Sequence, residues 1–399
     1  MSRLYYDDPA LLTFEAKVMA CVTHGDGHRV ALDRSAFYPT SGGQPHDVGT
    51  LNADGTSVNV TGVEADDEEV VWHDVPSAIA VGTRVGGAID AARRHDLRQQ
   101  HSGQHILSAS FDAVVGARTE SVHLGMDVST LDLDREVSAD EIARVEGHAN
   151  AVVWSDRPVT IRYADATELA SEPRLRKATA RTGRIRLIDI TDHDLSACGG
   201  THVHRTGEVG LIAVRGFERF RGGTRVTFLC GNRVLASYRD LKSTVDALAQ
   251  VLSVGVRDVA AAVERLRDGL RDEQRRSREM GERLTVLQAD ELAATAGADG
   301  IVVAHLAGAD AQSLRGAASR IVEAPGRVVA LLGGETPHAL VVARSKDRVD
   351  VDSGAIVKRV CAAHGGKGGG RPDLAQAGGV SATVDDLRGL LPAIPRVVL

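Results

Sequence analysis

The sequence predicts an α+β protein built from several domains. A small, barrel-like β-rich part is expected over 1–90, an α+β domain over 91–237, a helical arm over 238–295 and a C-terminal α/β domain over 296–399. Three observations lead there. Short apolar runs separated by turn signals fill the first 90 residues, helical stretches then precede further strands without a βαβα rhythm, and a long charged, proline-free run follows.

The elements follow in order. KVMACVTH, HRVALDR, VGTLNAD, SVNVTGVEA, EVVWHDV and VGGAIDA read as strands whose length and spacing suit a small barrel or sandwich. Helical patterns at 93–114 and 139–153 lead into the strands PVTIRYA, IRLIDI, VGLIAV and RVTFLC. From 238 the chain carries apolar residues at Val259, Val263, Leu266 and Leu270 and reads as a helix of about 35 residues, roughly 50 Å long. Gly255 separates it from a shorter helix at 239–252, which predicts a hairpin arm and a homodimer formed through the arm or the tail. The strands GIVVAHL, VVALLGG and HALVVARS alternate with helical segments in the tail.

Composition bounds the function. Of 399 residues 43% are hydrophobic and 25% charged, and the net charge of −7 excludes a protein that is basic throughout. Nucleic-acid binding must then rely on local basic patches. Four scattered cysteines, Cys21, Cys198, Cys230 and Cys361, do not form a disulfide framework, and no signal segment or long apolar run is present. A cytoplasmic protein without membrane attachment is expected.

The chemistry starts at HSGQH, where His101 and His105 stand four residues apart within a helical apolar pattern and so share a face. With 15 histidines in 399 residues, chance alone supplies about half a pair at this spacing. His24 and His28 are such a pair, set in glycine punctuation where the spacing has no geometric meaning. The second half-site is CGGTH, with Cys198 and His202 around Gly199 and Gly200. Three imidazoles and a thiolate suit tetrahedral zinc. Ser102 follows the first histidine where a metalloprotease of HExxH type needs glutamate, which argues against that class.

HSGQH, CGGTHV and the upstream FYPTSGGQPHDVG resemble the editing domain of alanyl-tRNA synthetase and its relatives, the AlaX trans-editing proteins. GEVGLIAVRGFERFRGGTRVTFLCGNRVL resembles the strand pair closing that domain, and GGKGGGRPDLAQAGG resembles the synthetase's C-terminal DHHA1-type domain. Nothing in the sequence resembles the adenylate-forming part, so hydrolysis rather than tRNA charging is expected.

The resemblance implies a zinc-dependent, ATP-independent aminoacyl-tRNA deacylase. An alanine pocket cannot exclude glycine and rejects an added hydroxyl only about a hundredfold, so serine and glycine reach tRNA(Ala) and a second site must remove them. His101, His105, Cys198 and His202 are the implied metal set. With three ligands the fourth position takes water or a substrate atom; with four, the metal organises the pocket. Gly42, Gly43 and Gln44 are expected to form the facing wall, with Gln44 hydrogen-bonding around the aminoacyl ester. Ser35 stands where the family carries a threonine that recognises serine.

For tRNA, the acid-free run RLRKATARTGRIR offers Arg174, Arg176, Lys177 and Arg181 to phosphates, and the glycine-rich segment offers Lys367 and Arg371. The alternative is a non-catalytic tRNA-binding or nucleic-acid-binding protein with a structural zinc; a hydrolase of small aminoacyl esters is a further rival.

Overall fold

The computed structural model describes residues 1–177 and 183–391. The protein is α+β, with eight α-helices among the described residues, and folds as two compact units, Met1–Ala247 and Leu248–Leu399.

Besides the short parallel pair Ser2–Arg3 and Arg34–Ser35, the first unit begins with seven strands: β1 (Thr13–His24), β2 (Gly27–Leu32), β3 (Gly49–Ala53), β4 (Thr56–Val60), β5 (Gly62–Ala65), β6 (Val71–Val75) and β7 (Arg84–Ile89). Their order in the sheet is β4-β3-β7-β1-β2-β6-β5, antiparallel throughout. Period-2 alternation turns Phe14, Ala16 and Val18 of β1 inward, where they meet Leu32, Leu51, Val63 and Val85. Only Thr61 separates the two edge strands in the chain, yet no ladder joins them. The expected barrel is thus a curled half-barrel, because β5 pairs with β6 and leaves β4 unclosed.

Helix α1 (Ala91–Val115) follows directly. Asp90 caps it by accepting the Arg93 N–H, and Gly116 ends it in the left-handed conformation. Its middle, from Leu97 to Phe111, is buried almost without interruption. Two strands that the sequence pattern did not reveal come next, β8 (Thr119–Leu124) and β9 (Ser129–Leu133), then α2 (Ala139–Trp154), entered through a Ser138/Glu141 capping box. The chain continues through β10 (Val159–Ala164), the short α3 (Ala166–Ala170), β11 (Ile185–Ile190), β12 (Asp194–Ala197), β13 (Ile212–Phe220) and β14 (Gly223–Cys230). These build a four-stranded sheet, β8-β9-β14-β13, and a three-stranded one, β10-β11-β12. Ile106, Leu107 and Phe111 of α1 pack with Val145 and Val152 of α2 over Leu131, Val226 and Phe228.

Helix α4 (Asn232–Val251) leads into α5 (Val259–Ala294), a single helix of 36 residues. In the second unit, β15 (Ile301–Leu306), β16 (Val328–Gly333), β17 (His338–Arg344), β18 (Lys367–Gly370) and β19 (Leu374–Val380) form a sheet ordered β15-β16-β17-β19-β18. Only β15 and β16 run parallel. Helix α6 (Ala311–Ile321) and the end of α5 share a core with one set of its side chains, α7 (Ser353–His364) and α8 (Val384–Leu390) with the other.

The glycine-rich segment is not the open loop that its composition suggests. Lys367–Gly370 is an edge strand, and its glycines admit the neighbouring chain. A Cβ on Gly368 would stand 2.2 Å from the Gln376 carbonyl oxygen, and one on Gly370 would stand 2.5 Å from the Ala375 Cα.

Candidate metal centre and cleft

His101 and His105 sit one turn apart on α1, and β12 delivers Cys198 into the turn that carries His202. One donor atom from each lies within 4.8 Å of all the others. The Cys198 Sγ is 3.4 Å from Nε2 of His101 and 3.3 Å from Nε2 of His202. Tetrahedral zinc with bonds of about 2.0 to 2.3 Å sets its donors about 3.3 to 3.6 Å apart, the spacing of the two Cys198 contacts. Gly200 makes the approach possible, since a Cβ there would stand 2.1 Å from the His101 ring.

Hydrogen bonds fix the tautomers of His101 and His105. The Gln44 Oε1 accepts the backbone N–H of Thr201 at 3.1 Å, which assigns it as the oxygen, and it lies 2.6 Å from Nδ1 of His101. Nδ1 therefore donates, leaving the Nε2 lone pair turned to the cluster. The Asp194 carboxylate takes the Nδ1–H of His105 at 3.0 Å in the same way, and Ser102 Oγ lies 3.1 Å from Nδ1 of His202. Such partners raise ligand basicity and hold ring orientation.

The electrostatics match at two of the three rings. Burial pushes His101 down to about 3, with the Arg186 guanidinium adding to the effect, and burial with the surrounding cations keeps His202 well below the ordinary imidazole value. Both are neutral, as metal ligands must be. Burial opposes ionisation of Cys198, but His105, the Gly200 N–H and Arg186 outweigh it and favour the thiolate. For His105 burial is likewise outweighed, by the Asp194 hydrogen bond and the thiolate, and its value rises.

The cluster lies in the wall of a cleft of 1210 Å³. Tyr6, Tyr38 and Tyr163 line it together with Arg3, Lys177 and Arg184, whose guanidinium stacks 4.4 Å from the Tyr163 ring centre. Aromatic faces beside cations suit a nucleotide and its phosphate.

The other expected site residues divide. Gly42 and Gly43 form a two-residue turn, both with positive φ, closed by paired Ser41–Gln44 hydrogen bonds. Gly42 reaches the cleft, and the Gly43 carbonyl accepts the Leu124 N–H of β8. Gln44 does not reach an ester as expected. It is wholly buried, its Oε1 holds His101 and Thr201, and its Nε2 donates to the Thr201 hydroxyl at 2.9 Å. Ser35 is also displaced from its expected place at the substrate. The His73 Nδ1 donates to the Val30 carbonyl, so its Nε2 accepts the Ser35 hydroxyl at 2.7 Å inside the half-barrel.

Among the expected phosphate contacts, Arg174 pairs with Asp189 at 2.6 Å and Arg176 with Asp194 at 2.7 Å, so Arg176 supports the carboxylate behind His105. Lys177 lines the cleft, and Arg181 lies outside the described residues. In the second unit Lys367 and Arg371 are exposed, Arg371 beside Asp373 at 3.3 Å. Sequence reasoning missed Asp194, the service of Ser102 to His202, and Tyr6. None carries a local signal, since each acts across a long stretch of chain.

Residues 4–93 match the family model for class II (A) tRNA synthetases, 185–226 the second additional domain of threonyl and alanyl tRNA synthetases, and 298–395 the DHHA1 domain. The alanine–tRNA ligase of Halorubrum lacusprofundi is 33% identical over 99% of this chain and 44% of its own length. The chain is similar to alanine–tRNA ligases along nearly its whole length. The ligase of Archaeoglobus fulgidus is 34% identical over 96% of this chain and 42% of that protein. The chain thus spans less than half the length of the curated relatives it matches. The C-Ala domain of Aquifex aeolicus alanyl-tRNA synthetase aligns with 24% of this chain and 90% of its own at 24% identity, with a TM-score of 0.22 too low to inform the fold. No described helix is long and apolar enough to cross a membrane.

Proposed function

We propose that this protein is a zinc-dependent deacylase that hydrolyses the aminoacyl ester of tRNA(Ala) mischarged with serine, and with glycine as the second misfit. The observation that carries this reading is the four-donor cluster set in the wall of a tyrosine- and cation-lined cleft. His101, His105 and His202 through Nε2 and Cys198 through Sγ would hold one zinc ion. Bound there, zinc supplies Lewis acidity toward water or an ester oxygen.

The chain's own residues do the rest. Gln44, Asp194 and Ser102 hold the ligating rings, so they position rather than touch substrate. Tyr6 and Tyr163 offer faces to the terminal adenosine, and Arg3, Lys177 and Arg184 take its phosphates. Hydrolysis consumes water and needs no ATP. Lys367 and Arg371 of the second unit contact tRNA away from its acceptor end. The working place is the cytoplasm.

The protein acts as a homodimer in this reading. Val259, Val263, Leu266 and Leu270, and then Met280, Leu284 and Leu287, recur at the 4-3 spacing of a coiled-coil seam on α5, interrupted at Glu273 and Ser277, and those from Val263 onward are 48% to 71% exposed.

Four protein donors also suit a closed structural site, which favours a second reading as a tRNA-binding protein with structural zinc. His105→Ala separates the two. Loss of Ser-tRNA(Ala) turnover with tRNA affinity retained supports the deacylase, and a wild type that binds without turnover supports the binder.

A further inference from the structure

Three arginines are buried among the described residues, Arg94, Arg98 and Arg186. Arg94 pairs with Asp47 and Arg98 with Glu208, whereas Arg186 has no carboxylate within ion-pair distance among the described residues. It stands on β11, 5% exposed, and three backbone carbonyls grip it. Nε donates to Tyr6 O at 3.0 Å, and Nη1 to Cys198 O at 2.9 Å and Gly200 O at 3.0 Å. The Nη2 group is buried with no hydrogen-bond partner among the described residues. The Tyr6 ring lies 5.4 Å from the guanidinium carbon and meets part of its charge, while the unmatched N–H groups remain costly to bury and stay available to a ligand.

The placement names that ligand. Arg186 lines the same cleft as Cys198, Gly199 and Gly200. Arg3, Arg176, Lys177, Arg184 and Arg186 line this cleft against Glu68, Glu69 and Glu120. The cleft therefore carries surplus positive charge in a fixed direction, complementary to negative charge that appears during reaction.

We propose that Arg186 is the oxyanion donor of this site, the edge of its guanidinium that lines the cleft taking the carbonyl oxygen of the scissile aminoacyl ester; the assignment rests on the deacylase reading. Water oxygen bonds to the ester carbonyl carbon and gives a proton to solvent, while the carbonyl π pair moves onto the oxygen held by Arg186. The pair then returns, the bond to the ribose oxygen breaks, and that oxygen takes a proton from water. Free amino acid and a tRNA hydroxyl result. Arg186 loses no proton.

The test compares the full-length protein with Arg186→Lys on Ser-tRNA(Ala), with zinc content and tRNA affinity measured beside kcat and KM. The expected result is a kcat about 100- to 1000-fold lower with zinc content and tRNA affinity retained. A raised KM at unchanged kcat overturns the proposal and makes Arg186 a phosphate contact; unchanged kinetics overturn it outright. A wild type that hydrolyses nothing removes the deacylase reading and this assignment with it. Where the variant loses metal or fold, the full-length wild type stripped of metal is titrated with two stable analogues of 3′-seryl adenosine, a neutral amide and an anionic tetrahedral phosphonate. Roughly tenfold tighter binding of the phosphonate is expected. Equal affinity overturns the proposal.

Discussion

The Oε1 atom of Gln44 sits 2.6 Å from Nδ1 of His101, joining the turn before β3 to the helix that carries half of the metal cluster. Because the same oxygen accepts the Thr201 N–H, one amide orders both half-sites. Gln44→Leu removes both contacts. Zinc affinity is expected to fall about 10- to 100-fold, as for other partners behind metal ligands, read by chelator competition. Gln44→Glu, which keeps the acceptor, should lose far less; equal losses would contradict the hydrogen-bond account.

The neighbouring ion pair carries stability. Arg94 and Asp47 are almost wholly buried, and Arg94 also donates to Pro9 and Ala36 carbonyls, fastening α1 to the half-barrel. Asp47→Ala leaves a guanidinium buried without its counter-charge and should cost about 3 to 5 kcal/mol in urea unfolding. A loss within 1 kcal/mol, on the order of a surface pair, would show that the pair is solvated.

His73 predicts a pH dependence. Burial holds it down to about 4 against an ordinary value of 6.5, so the unfolded chain binds its proton first as pH falls. Its contribution is complete above pH 6.5 and declines as pH falls toward 4, amounting to about 2 kcal/mol lost between pH 7 and pH 5. His73→Gln should flatten the urea midpoint over that window by this amount relative to wild type. Parallel curves would refute the assignment.

The apolar seam on α5 predicts association. Sedimentation should show a dimer that Leu266→Lys combined with Leu270→Lys shifts toward monomer. A wild-type monomer at micromolar concentration would contradict a dimer formed through α5.

Sequence pattern revealed elements wherever one face is buried along a strand or helix. The half-barrel strands and α2 carry that periodicity, with β1 turning Phe14, Ala16 and Val18 inward, whereas α5 was legible from an apolar spacing that stays exposed. It failed where the pattern is erased. Strand β8 buries only Leu124, and β18 is mostly glycine, without side chains to alternate. At the site, His101 and His105 were legible because helix geometry converts a spacing of four into a shared face. Gln44 meets His101 across 57 residues and Asp194 meets His105 across 89, separations at which spacing has no geometric content. Ser35 shows the opposite limit: its place in a motif was legible, its burial against His73 was not.

The central claim is that the cluster around HSGQH hydrolyses misplaced serine. The most direct measurement follows loss of serine from Ser-tRNA(Ala) and of alanine from Ala-tRNA(Ala), with the protein as purified, after zinc removal and after zinc is restored. The account predicts rapid release of serine that disappears with zinc and returns with it, while alanine is spared. Binding of both tRNAs with hydrolysis of neither, zinc present, would contradict it.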